Sequence, residues 1–174
     1  MSTAIETRLF GEDASLSLSW PWAAYWIAFL RVLVGTLFLH AGMDKFLADQ
    51  PFDAGWWLTG PASEGIIGPV MVWFGQNAPW IVNVMIPLGE LLIGLGLIVG
   101  ALTRLASFFG AVLMFFFYFG NAEWEHGFVN GDLLTLVLFI TLIVFGAGRV
   151  WGFDAYLERT VTVQENSWLR YFLG

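Results

Sequence analysis

Cysteine is absent from the 174 residues, and Lys45 is the one lysine. Without cysteine the chain has no disulfide framework, no thiolate metal site and no cysteine nucleophile. Lys and Arg together number 7 against 14 Asp and Glu, a formal charge of -7. That balance excludes a basic patch, so no nucleic-acid partner is expected. An acidic, lysine-poor composition has two readings: a high-salt habitat, where salt screens repulsion among surface carboxylates, and a modestly acidic protein of no special habitat. Sequence fingerprints of cofactor chemistry are missing as well: there is no G-x-G-x-x-G, P-loop or G-x-S-x-G. Neither H-x-x-x-H nor H-E-x-x-H occurs, so no metal is expected at His40 or His126. Residues 1–19 hold Glu6, Arg8, Glu12 and Asp13 without the basic-then-apolar order of a cleavable signal. They read as a polar tail, and the first apolar helix as an uncleaved anchor.

What fills the chain is apolar. Hydrophobic residues make up 58%, and mean hydropathy is +0.73. Soluble domains run at about 45–50% apolar, and several long apolar runs together indicate an integral membrane protein. The expected fold is all-α: a single membrane domain over 1–174, built as an antiparallel bundle of four transmembrane helices. The spans fall at about 22–46, 79–101, 103–120 and 131–147. Residues 47–78 form a long outer loop between helices 1 and 2. Pro51, Gly55, Gly60 and Pro61 mark its turns, and Ser63 to Gln76 is predicted to be a short interfacial helix. After Arg149 the tail, 149–174, leaves the membrane, with Asp154 placed to cap a short helix.

Even-numbered spans put both termini on one side. Arg8, Arg104, Arg149, Arg159 and Arg170 share that side and Lys45 lies on the other. The positive-inside rule therefore predicts a cell-membrane protein with cytoplasmic N- and C-termini.

Charges inside the spans are few and hence informative. Glu90 interrupts the stretch Pro79–Leu102, and a carboxylate at membrane depth needs a partner. On helix 1, Arg31, Gly35, Gly42 and Lys45 fall on one stripe, whereas His40 and Asp44 occupy nearly the opposite face. Counted from the helix ends, Arg31 and Glu90 both reach the midplane, which predicts an intramembrane Arg31–Glu90 ion pair. Its readings are a register-fixing pair without a catalytic role, and a polar anchor beneath a ligand pocket or a proton-linked site. At the outer face, His40, Asp44, Lys45, His126 and Asp132 are candidate contacts for a quinone headgroup or an anionic substrate. The plain alternative is that loops between spans are polar because they meet water. No catalytic residue is singled out. A transporter is disfavoured, since helices 1–2 and 3–4 do not repeat each other.

Taken together, these motifs resemble the DoxX family. Arg31-x-x-x-Gly35 through His40-Ala-Gly42-x-x-Lys45 is similar to its first helix, and Gly89-Glu90-x-x-x-Gly94 with Thr103-Arg104 to its second helix and turn. Gly131-Asp132, Gly146-x-Gly148-Arg149 and Asp154 resemble its C-terminal signature. The PFDAGWWL loop is more like the DoxD branch, which supplies the membrane subunit of thiosulfate:quinone oxidoreductase. The resemblance implies a small membrane component of quinone redox chemistry, with quinone as the cofactor. The alternative is a non-catalytic membrane scaffold or partner-docking subunit. Expected partners are the lipid bilayer and a second copy or another subunit.

Overall fold

In the computed structural model, residues 3–9, 12–18, 21–121 and 127–174 are described. The segment read as a polar tail is paired: β1 (Thr3–Leu9) and β2 (Glu12–Leu18) run antiparallel, with Thr3 opposite Leu18 and Leu9 opposite Glu12. Glu12-Asp-Ala-Ser-Leu-Ser-Leu18 ends in the polar/apolar alternation of period two that suits a strand. From Pro21 on, every regular element among the described residues is a helix.

The first is α1 (Pro21–Leu47), whose 27 residues make it roughly 40 Å long. Above its end, the loop expected over 47–78 is largely ordered into α2 (Gly55–Thr59), a 3-10 turn (Pro61–Glu64) and α3 (Gly68–Asn77). The helix predicted over Ser63 to Gln76 is thus split, and α3 begins where Gly68-Pro69 supplies a proline in the first turn. Ala54, Leu58, Ala62 and Met71 bury a small apolar core of this cap.

Next come α4 (Pro79–Val99), α5 (Thr103–Gly120) and α6 (Gly131–Phe145). A left-handed glycine stops α4, at Gly100 with φ 71°, and another stops α6, at Gly146 with φ 58°. The α6 start is capped by Asn130, whose side chain accepts from the Leu133 amide at 3.0 Å. The helix predicted to reach 147 therefore ends at Phe145. Beyond it lie a 3-10 turn (Ala147–Arg149), α7 (Asp154–Leu157), α8 (Val161–Glu165) and a last 3-10 turn (Ser167–Tyr171).

Among these, α1, α4 and α5 are long and apolar enough to cross a membrane, and α6 is a shorter apolar helix. Helix α1 packs along α4, α4 against α5, α5 along α6, and α6 returns to α1. The closest seam is α1 on α4, because glycines remove the side chains that would separate the backbones. A methyl group at Gly42 would stand 2.7 Å from the Leu91 nitrogen, and one at Gly35 would stand 2.9 Å from Leu97 Cβ. From the other side, Gly94 lies against Leu39 and the Gly35 carbonyl. Between the helices, Phe38 meets Phe139 edge-on at 4.9 Å, and Gly110 leaves the room that the Phe139 ring fills.

Those contacts fix the register, and the register corrects the depth expected for Arg31. Gly35 lies beside Leu97 and Ile98, so Arg31 is level with the end of α4 at Gly100. The first ten residues of α1 project past the α4–α5 turn. Counting from helix ends places two residues at one depth only where the ends are flush, and here they are not.

Candidate functional site

Two buried polar sites follow, one at each end of the α1–α4 seam. At the arginine end, Arg31 is 1% exposed. It donates from Nη1 to the Ala147 carbonyl at 3.0 Å and from Nη2 to the Trp151 carbonyl at 3.1 Å. Asp154 supplies the attracting negative charge nearby. Its carboxylate accepts from the amides of Leu102 at 2.7 Å, Thr103 at 2.9 Å and Gly174 at 3.0 Å. An anion thus occupies the N-terminus of α5, where free amides and the helix dipole favour it. Burial pushes the Asp154 carboxyl up, and hydrogen bonds from Thr103, Gly174 and Leu102 pull it back. Two non-glycine residues here have left-handed backbones: Leu102 with φ 52° and Trp151 with φ 53°. Each costs about 1–2 kcal/mol in that region, and each is held by a charge, Leu102 through Asp154 and Trp151 through Arg31. Asp154, expected to cap its own short helix, instead caps the neighbouring one.

At the other end, Lys45 Nζ lies 2.7 Å from Glu90 Oε2, with the Glu90 side chain 5% and the Lys45 side chain 25% exposed. Lys45 also donates to the Ala41 carbonyl at 3.3 Å and stands 5.6 Å from the centre of the Phe52 ring. This overturns the expected Arg31–Glu90 pair. Arg31 and Lys45 share one stripe of α1, and register alone decides which of them Glu90 meets. Gly42 against Pro87 and Leu91 brings Lys45 level with Glu90.

The cap is tied down over this pair by side-chain amides. Asn83 accepts from the Ala54 amide at 2.8 Å and donates to Asp53 Oδ1 at 3.1 Å; the Gly55 amide reaches the same oxygen at 2.9 Å. These bonds hold the Asp53 carboxyl below its ordinary range, the Gly55 amide having the larger effect. On the far side, the Trp57 indole donates to Asn121 Oδ1 at 2.7 Å, and Asn121 donates to Asp132 at 3.4 Å. Asp132 therefore belongs to the cap's anchorage.

His40 and Asp44 join neither site. His40 Nδ1 pairs with Asp44 Oδ2 at 3.0 Å on the outward face of α1, with side chains 74% and 66% exposed. His126 lies outside the described residues. Among the described residues no group of three or more His, Cys, Asp or Glu could hold a metal ion. Sequence reasoning missed Asn83 and Asn121. Their signal was a polar amide within an apolar helix, or at its end, facing a turn-rich loop.

A protein-family model described as DoxX matches residues 26–123, more than half of the chain. The match takes in Arg31, Lys45, the cap and Glu90; the residues that bury Arg31 from 147 onward lie beyond it. No curated protein and no solved structure matches the chain. With its apolar spans and this match, the chain belongs to the DoxX family of membrane proteins.

Proposed function

We propose that this DoxX-family chain crosses the membrane four times, with cytoplasmic termini, and serves as a DoxD-like component of quinone redox chemistry. The Lys45–Glu90 pair beneath the cap carries this reading. A buried carboxylate and ammonium at membrane depth are costly structures, and such groups mark substrate or proton pathways more often than plain packing. The donor set fits a quinone headgroup: Lys45 offers an ammonium to a carbonyl oxygen, Phe52 an apolar ring, and Glu90 a site that can hold a proton. A bound quinone would supply the electron-accepting chemistry, and the chain would orient it and exclude water. The orientation is supported by Arg104, Arg149, Arg159 and Arg170 lying towards one end and Lys45 towards the other.

The test is quinone reduction by the protein in lipid nanodiscs, with thiosulfate as the first electron donor and a short-chain quinone as acceptor. Turnover in the unmodified protein, lost in a still-folded Glu90→Gln variant, is the expected result. Absence of both turnover and copurifying quinone would sink the reading. The second reading is a non-catalytic membrane scaffold. It is favoured by the arginine end, where Arg31 and Asp154 are bonded to backbone groups and hold strained turns in place.

A further inference from the structure

The His40–Asp44 couple sits at a depth where lipid cannot satisfy it. Gly94 of α4 lies against Leu39, the residue before His40, and Leu91 lies against Gly42, two residues before Asp44. Helix α4 has 21 residues, about 31 Å. At about 1.5 Å per residue, His40 and Asp44 stand roughly 9–15 Å in from its arginine end, and at least as far from the other. Both are nonetheless turned outward, with side chains 74% and 66% exposed. Among the described residues each is the other's partner, through Nδ1 and Oδ2, which leaves the second imidazole nitrogen and the second carboxylate oxygen for another group. Ionisable groups at membrane depth almost always face protein or a water-filled cavity.

We propose that this face of α1, centred on Thr36, His40 and Asp44, is an intramembrane interface with a second copy of the chain. The three residues are spaced four apart and form one stripe of the helix. Thr36 is exposed on that stripe; its hydroxyl donates to the Val32 carbonyl at 2.8 Å and keeps its lone pairs. The couple is self-complementary: it carries a proton donor and an anion one turn apart on the same face. Two α1 helices related by a two-fold axis along the membrane normal set each residue at the depth of its copy, so His40 of each reaches Asp44 of the other diagonally, across one helical turn of about 6 Å. A closed two-fold interface needs such an isologous surface. Leu33, Leu37 and Met43, exposed beside the polar stripe, give the interface apolar flanks. The inference is independent of the quinone reading.

The absence of cysteine makes the test clean. Leu37→Cys, in a bilayer under mild oxidation, is expected to give a covalent dimer of the chain. Leu92→Cys, on the exposed face of α4, is the control and is expected to give none. Native mass spectrometry from nanodiscs should show a dimer. In His40→Asp, which sets carboxylates against carboxylates, association should weaken at least about tenfold. The swap His40→Asp with Asp44→His should restore it, and this variant keeps the test decisive if the single substitution folds poorly. A monomer with no Leu37→Cys product overturns the proposal. So does a dimer unmoved by His40→Asp, a folded swap variant that stays monomeric, or a Leu37→Cys product joined only to a different protein.

Discussion

Glu90 meets Lys45, at 2.7 Å, and not the arginine on the same stripe of α1. The finding separates two roles that one membrane-buried charge pair was expected to combine. Arg31 is spent on the backbone of the arginine end, and the titratable couple is left to the cap end. Breaking a buried pair leaves an unpaired charge, whereas replacing both members by apolar groups of similar size can be nearly neutral. Lys45→Met should therefore cost about 3–5 kcal/mol. Lys45→Met joined to Glu90→Leu should recover most of that. Thermal unfolding in a single detergent, followed by circular dichroism, checks both, and additive losses would refute the direct pairing.

Asp154 and Leu102 offer a second test. The Asp154 carboxylate receives three backbone amides, and Leu102 holds φ 52° while giving one of them. Asp154→Ala orphans these donors and should destabilise by about 3 kcal/mol. Leu102→Gly removes the left-handed penalty and should stabilise by about 1 kcal/mol. It should also recover part of the Asp154→Ala loss, because the turn then needs less holding. A destabilising Leu102→Gly would mean that burial of the leucine side chain outweighs its backbone strain.

These two sites show how far the residues alone carried the reading. Apolar length picked out α1, α4 and α5, which approach or exceed the roughly 20 helical residues needed to cross the hydrocarbon, and α6 as a shorter apolar helix. Periodicity placed Arg31, Gly35, Gly42 and Lys45 on one face of α1, and the structure packs the glycines of that face on α4. What periodicity could not provide was the vertical offset between two helices, which depends on backbone contacts rather than on either helix alone. Gly42 against Pro87 and Leu91, and Gly94 against Leu39 and Gly35, held that information, but only once the helices were docked. The cap was legible as turns and not as anchorage, because Asn83 to Ala54 and Trp57 to Asn121 are long-range bonds. Asp154 was legible as a cap but not as the cap of a helix 51 residues earlier in the chain.

The glycine seam itself is testable. Leu39 lies so close to Gly94 that no side chain fits without moving one of the two backbones. Gly94→Val should prevent α1 from seating and uncouple Lys45 from Glu90, at a cost beyond the usual range of about 1–3 kcal/mol for overpacking. Gly89→Ala is the matched control, since nothing lies within 4 Å of a methyl group there. It should leave folding unchanged or raise stability slightly, by about 0.5–1 kcal/mol as expected for helix propensity. Yield of monodisperse protein and its thermal midpoint distinguish the two; equal behaviour would place the seam elsewhere.

The clasp of the cap should respond to acid. Asp53 holds its carboxyl below the ordinary range through the Gly55 amide and the Asn83 side chain. A depressed folded value means that the bonds contribute above the unfolded carboxylate value, and that the contribution disappears as pH falls through the folded value. The carboxyl is at the surface, so water screens it and the change in overall stability is small. Locally the effect should be clear: hydrogen exchange at the Gly55 amide, corrected for the intrinsic dependence on pH, should speed up below the usual carboxylate range. Asp53→Asn should show fast exchange at Gly55 at neutral pH and no further acid step. The Ala54 amide bonds to Asn83 and not to Asp53, so its exchange should change less. If acid opened Ala54 and Gly55 equally, the whole cap would be lifting as a unit, with Asp53 one contact among many.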